Sequence, residues 1–271
     1  YLLGDGFNEQ ALQFKNTTGF DAGFISGQIT STSGNNFYVL TGPESLDTNF
    51  NAAGTGYSSI GIGNAFLTDY SVEASVGSIP TVSLDDQISG ITFPAASPGT
   101  GAAIPTALRP GDITLSFASA DGDAIVDLDG DGGAHVQSIS LAIPLGRTPI
   151  DRLGSRFSFA RVVDFPITPT LSVSAVVSET QTRALTTIIN DDQFIDNLQF
   201  TFKDSNVANT PRASYKMTKV KLDSESYSSS IGPNKTVDLS FSLSIGGAND
   251  TDNNVFFSGS NETTVLGNAR V

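Results

Sequence analysis

Cysteine and tryptophan are both missing from this 271-residue chain, and histidine and methionine occur once each. Without cysteine no disulfide can brace the fold. Assembly in a reducing cytoplasm fits that absence, and so does an exterior life without staples. Carbohydrate-binding β modules usually rely on exposed aromatics, often tryptophan, so its absence weakens a glycan reading. Any Ser-His-Asp or Cys-His scheme would depend on His135. That residue lies in Gly132-Gly-Ala-His-Val with no nucleophile motif nearby, and it is read as a surface or strand-end histidine. No apolar run reaches the roughly 18 residues that a membrane helix needs. No basic segment followed by an apolar one opens the chain at Tyr1, where an initiator Met and a few residues are expected to be missing. A soluble protein without a membrane partner is the expectation.

Positive charge is scarce as well. Lys and Arg number 14 against 28 acids, a formal net charge of −14. Nucleic-acid binding by counterion release needs clustered cations, and the balance argues against it. The deficit is uneven: residues 1–108 hold one base, Lys15, and the other 13 follow Arg109 or include it. Such asymmetry permits one half of a molecule to meet the other half of a neighbour.

What is present is a β pattern. Apolar residues make up 38% of the chain, and Ser, Thr, Asn and Gly fill the positions between them. This is the composition of short strands with one wet face. Three stretches share one shape, an alternating strand with a Gly near its end and then a second alternating strand, usually after a Pro. They are Leu67 to Gly77 with Ile79 to Ser83, Val136 to Gly146 resumed at Phe165 to Ser174, and Met217 to Gly232 followed by Pro233 to Phe241. Self-similarity of this kind suggests an internal duplication. The Pro94 to Pro110 stretch, whose only charge is Arg109, is the best boundary, giving 1–110 as an N-terminal β half and 111–271 as a second unit. The one helix read is Glu179 to Ile189, where Ala184, Leu185, Ile188 and Ile189 share a face. The expected fold class is mainly β, an antiparallel sandwich or barrel with one packed helix.

Candidate sites are few. Asp127-Leu-Asp-Gly-Asp-Gly132 places carboxylates of Asp127, Asp129 and Asp131 at positions 1, 3 and 5 of a calcium-type loop. Ser138 stands where a bidentate Glu belongs, and a solvated turn is the competing reading. Asp85-Asp86 and Asp191-Asp192 are read as strand and helix ends, not as glycosidase pairs. Gly61-Ile-Gly63 is too short for a phosphate loop and sits in a strand context. Asn16, Asn234, Asn249 and Asn261 begin Asn-X-Thr triplets that a chain rich in both residues produces by chance. Arg147 to Arg161 carries four arginines with Phe157 and Phe159 between them, as a long hairpin loop or a short helix. Arginine with aromatics fits a subunit contact better than a nucleic-acid platform on so acidic a chain. No catalytic residue, cofactor site or metal site is assigned.

Two segments resemble a known family. Ala134 to Gly146 continuing through Arg147 to Pro166 resembles the central hairpin and loop of tail tube (major tail) proteins of tailed bacteriophages. Tyr215 to Gly232, with Val237 to Gly246, is similar to their C-terminal strand pair, and Phe66 to Ser83 repeats the element. The resemblance covers about half the chain. It implies a sandwich whose long hairpins join those of neighbours into a ring barrel. Such rings are commonly hexameric, or trimeric if the chain is duplicated, and they stack into the tube that conducts the genome. It further implies a non-enzymatic virion protein, assembled in the host cytoplasm, with other tail proteins as partners and DNA passing transiently. An acidic lumen would repel phosphates over about 8 Å at physiological salt. Asp69 with Glu73, or Asp223 with Glu225, are the acids expected to project from one lumen face, and the Arg loop is expected to meet the acid-rich first half of the next ring. The rivals are a capsid decoration or adhesive surface sandwich that binds a receptor or glycan, and a β-sandwich hydrolase.

Overall fold

The computed structural model describes residues 35–41, 58–88, 90–92, 135–154, 158, 160–176, 198–204, 210–228, 236–247, 250 and 252–258. Thirteen strands run through them: β1 (Asn35–Thr41), β2 (Ser58–Ser75), β3 (Thr81–Gln87), β4 (Gly90–Thr92), β5 (His135–Pro144), β6 (Arg147–Ile150), β7 (Ala160–Val163), β8 (Thr170–Val176), β9 (Leu198–Asp204), β10 (Thr210–Met217), β11 (Lys221–Ser228), β12 (Thr236–Ser242) and β13 (Val255–Ser258). The fold is mainly antiparallel β, as its alternation predicts. The sheets do not close into a barrel within the described residues. The helix read over 179–189 lies outside the described residues.

Each of the three sequence hairpins contributes an antiparallel pair to one eight-stranded sheet. β2 pairs β3, β5 pairs β8, and β11 pairs β12. The sheet runs β1-β2-β5-β8-β12-β11, with β3 and β4 also on β2. At the first hairpin Ser78 N donates to Ser75 O at 3.1 Å, and Gly77 occupies φ +85. Only a residue without a Cβ takes that conformation cheaply. A second sheet, β13-β10-β9, lies across the first, and a small pair, β6-β7, stands apart.

The period of two sorts the side chains. Tyr70, Val72 and Ala74 of β2 enter the core together with Ile139, Leu141 and Ile143 of β5, Leu171, Val173 and Ala175 of β8, and Val237, Leu239 and Phe241 of β12. From the other side come Leu198, Phe200, Phe202, Tyr215, Met217, Val255 and Phe257. The outer face of the large sheet carries mostly small hydroxyls in register: Ser71, Thr170 and Ser242 with Ala142 in one row, then Ser140, Ser172 and Ser240 with Glu73 in the next. A sheet with one apolar and one hydroxylated face has to be covered on one side only.

β2 is 18 residues long and serves two neighbourhoods. Its second half pairs β3 and β5; its first half pairs β4 and β1. β4 continues β3 along one edge, with Phe66 opposite Gln87 and Gly63 opposite Gly90. The joint between the halves is marked by Asn64, at φ 53, and by a register shift between Leu67 and Asp69. Asn tolerates the left-handed region better than most residues. The bulge shifts the alternation: Leu67 faces the core on one side of it, and Tyr70 and Val72, of opposite parity, face the core on the other. At the other end Lys219, at φ 53, turns the chain from β10 in the small sheet to β11 in the large one. Thr218 and Asn254 tie that crossing, with Asn254 N donating to Thr218 Oγ1 at 2.9 Å and Thr218 N to Asn254 O at 3.0 Å.

The two sheets meet at a buried tyrosine pair. Tyr70 and Tyr215 share a hydroxyl–hydroxyl bond of 2.7 Å, and both are fully buried. Tyr215 also stacks on Phe200 at 4.8 Å and tilts against Phe257 at 5.1 Å. A buried hydroxyl that loses its partner costs about 1–3 kcal/mol, whereas losing both hydroxyls together costs less. Tyr70→Phe and Tyr215→Phe are each therefore expected to lower stability, and the double variant to lose less than the sum. Urea unfolding of the four proteins in this cycle measures the coupling; strict additivity would remove the bond's role.

Candidate assembly surface

The arginine segment is neither a loop throughout nor a helix. Arg147 to Ile150 pairs with Ala160 to Val163 as the β6-β7 hairpin. Its two terminal arginines turn inward. Arg147 Nε donates to Leu67 O at 2.7 Å, and its Nη1 donates to Arg161 O at 3.1 Å. Arg161 Nη1 donates to Gln87 O at 2.7 Å. Both guanidinium groups lie against Phe66, at 5.6 and 5.4 Å from its centroid. Phe66 is thus the anchor of a clamp that fixes the hairpin to the bend in β2, and each cation–π contact of this kind is worth about 0.5–2 kcal/mol. The tip turns at Gly154, φ +83, and presents Arg152 and a fully exposed Leu153. Two of the four arginines, Arg147 and Arg161, brace the fold. Arg156, Phe157 and Phe159 lie outside the described residues.

Acids gather beside the clamp. Asp69 of β2 stands directly opposite Asp85 of β3. Like charges so placed disfavour the pair. Partial burial raises the Asp69 carboxyl from its ordinary 3.8, and Asp85 adds to the shift. Burial also raises Asp86; Arg147 opposes the rise and Asp85 reinforces it. One Asp86 oxygen, Oδ1, is buried without a hydrogen bond. Burial lowers the Arg147 guanidinium; Asp86 opposes that drop and Arg161 adds to it. None of this resembles a catalytic pair: Asp85 and Asp86 are consecutive on one strand and project to opposite faces.

The remaining sequence candidates divide by place. Asp69 and Glu73 share the outer face of the large sheet, as their spacing predicts. Glu225 lies opposite Leu239, so it belongs to the other face, and Asp223 occupies the bulge between Leu222 and Ser224. The two acid pairs therefore do not line one surface. His135 opens β5 opposite Val176. Gly61 and Gly63 lie within β2, between β1 and β4, consistent with their strand reading. Asp127, Asp129, Asp131, Asp191, Asp192 and the asparagines Asn16, Asn234, Asn249 and Asn261 lie outside the described residues.

What the described residues do offer is an arrangement of strands with two open ends. No described strand pairs beyond β3 at one side of the large sheet or beyond β11 at the other. Exposed apolar side chains collect at these ends and at the hairpin: Val76, Ile79, Ile88 and Ile91 near β3, Tyr227 on β11, and Ile150, Leu153 and Val162 on β6-β7. Sequence reading could not place them, because exposure depends on which strands become neighbours.

No family model and no curated protein matches the chain. Among solved structures it is similar to the SPP1 tail tube, determined by solid-state NMR and cryo-EM, with 11% identity, a TM-score of 0.36, and coverage of 56% of this chain and 79% of that one. It is also similar to a chain in the virion of a native gene transfer agent particle, with 12% identity, a TM-score of 0.34, and coverage of 56% and 98% respectively. Likeness of this degree fixes neither family nor role.

The acid cluster carries a pH signature. A carboxyl whose folded pKa is raised costs stability when ionised, and the cost disappears as pH falls through that pKa toward the unfolded value. Asp69→Asn is therefore expected to stabilise the protein by a few tenths of a kcal/mol at neutral pH. The gain should shrink as pH approaches the ordinary 3.8. Thermal melts of both proteins at neutral and mildly acidic pH test this; a gain that grows on acidification would contradict it.

Proposed function

We propose that the chain is a virion structural protein, without catalytic activity, that assembles with copies of itself into stacked rings forming a tail tube through which the genome passes. One observation carries the reading. Six strands, β3-β2-β5-β8-β12-β11, alternate in direction, so the first and last run opposite ways. An even count lets β11 of one copy lie antiparallel beside β3 of the next when the copies are related by rotation about an axis along the strands. Head-to-tail contacts of this kind close into rings when the rotation divides the circle. An exposed sheet edge that is neither covered nor blunted by bulges is itself a template for pairing.

The division at residue 110 belongs to the same reading. Residues 1–110 supply β3 at one end, and 111–271 supply β11 at the other. The resemblance of Ala134–Pro166 and Tyr215–Gly246 to tail tube proteins supplies the virion context, with ring order six, or three if the chain is duplicated. Assembly takes place in the host cytoplasm, with other tail proteins as further partners. A net charge of −14 keeps passing phosphates from adhering to the wall. Ring stacks on ring through the tip of β6-β7 against the acid-rich first half of the neighbour.

Negative-stain microscopy of the concentrated protein is expected to show rings or tubes. Uniform monomers would favour the decoration or adhesive reading instead. Arg152→Glu combined with Arg156→Glu is expected to abolish tubes while circular dichroism and melting temperature stay unchanged; tubes of ordinary length would exclude the tip as the stacking contact.

A further inference from the structure

The two open ends of the large sheet match each other row by row. The register sets Ser75 opposite Ser138, and Val76 N donates to Gln137 O at 2.9 Å, so Val76 continues the row beyond Ser75. Across the sheet that row runs through Gln137, at the bulge beside Val136, then through Ala175 and Val237 to Tyr227. Val76 follows Ala74 in parity and Tyr227 stands opposite buried Val237, so both project from the core-side face. They lie at opposite edges, about 19 Å apart at 4.8 Å per strand. Yet both are bare: Val76 is 69% exposed, its turn neighbour Ile79 59%, and Tyr227 55%.

A second match lies farther along the strands on the outer face. Lys221 stands opposite Ser242, whose row continues through Thr170, Ala142 and Ser71 to Ser83. Two residues beyond Ser83 is Asp85, exposed and held against the like charge of Asp69. A diagonal neighbour of this kind is within reach of a long side chain. One edge thus ends in an apolar turn and an acidic pair. The other ends in a tyrosine and a lysine, in the same order along the strands. Such an edge is complementary to a second copy of itself, not to its own mirror contact.

Resting on the ring reading, we infer that copies join in unstaggered antiparallel register, with β11 of one beside β3 of the next. In this register Tyr227 covers Val76 and Ile79 of the next copy, and Lys221 reaches its Asp85. A tyrosine over an apolar turn is the usual composition of an interface hot spot. The lysine beside Asp85 offsets the repulsion that the isolated chain tolerates between Asp69 and Asp85. It also rejects the reversed docking, in which β3 would meet β3 and acid would face acid.

The absence of cysteine makes the test direct. Tyr227→Cys with Ile79→Cys, treated with a short bis-maleimide, is expected to give a ladder of covalent multimers on denaturing gels. Tyr227→Cys with Asp85→Cys is expected to give none, since Asp85 lies about 20 Å further along the strand in this register. Rings visible by microscopy with no ladder, or with the stronger ladder in the Asp85 pair, would overturn the register and leave the ring reading standing. Absence of rings in the unmodified protein at the same concentration would sink the ring reading and the register with it. Independently, Lys221→Asp should raise the concentration needed for assembly about tenfold, as loss of a rim charge pair does. Adding Asp85→Lys should restore it; failure of rescue in a protein that still folds would count against the pairing.

Discussion

Every β-sheet has two edges whose N–H and C=O groups lack a neighbour, and a protein must blunt them, cover them or use them. In this chain the six-strand run β3-β2-β5-β8-β12-β11 ends in β3 and β11, and among the described residues no strand lies beyond either, while β1 forms a further edge on the first half of β2. Blunting is slight: one bulge at Leu222–Ser224 in β11, one at Leu67–Asp69 beneath β3, and Arg161 holding the Gln87 carbonyl. The remaining architecture follows from leaving those ends open. The core is closed by the small sheet over one face, and among the described residues no strand covers the outer face or either side.

Stability and assembly draw on different residues. The core depends on Val, Leu, Ile and Phe in alternating positions, joined across the sheets by Tyr70 and Tyr215. The proposed contact between copies would use side chains that the core rejects: Tyr227, Val76, Ile79, Lys221 and Asp85. Between them lies the Arg147–Phe66–Arg161 clamp, which holds the β6-β7 hairpin in place while leaving its tip exposed. Substitutions at the rim can therefore change association without unfolding the molecule.

The strands were legible in the sequence because the period of two is local. Val72, Ile139, Leu141, Val173 and Leu239 announce their face by alternation, and Gly77 announces its turn. The order of strands was not legible, since nothing local tells β2 that β5 will be its neighbour. The bulge at Leu67–Asp69 was not legible either, because one extra residue reverses every face beyond it and nothing local announces it. The arginines misled for a related reason. Four in fifteen positions read as a cationic surface, yet Arg147 and Arg161 bond backbone carbonyls of β2 and β3 that lie some 80 and 74 residues away in the chain. Distant partners of that sort leave no trace in spacing.

The unbroken run of β2 has a mechanical consequence. Eighteen residues at about 3.3 Å each make a single extended segment of roughly 60 Å, flanked on both sides along much of its length. A pull on its outer half loads the flanking ladders in shear, so many hydrogen bonds must yield together instead of opening one after another. The bend at Asn64 changes the direction of that rod without cutting it. Load on the first half reaches Tyr70, deep among the aromatic rings, along a continuous backbone, shared on the way by the flanking ladders and the Arg147 bond to Leu67 O.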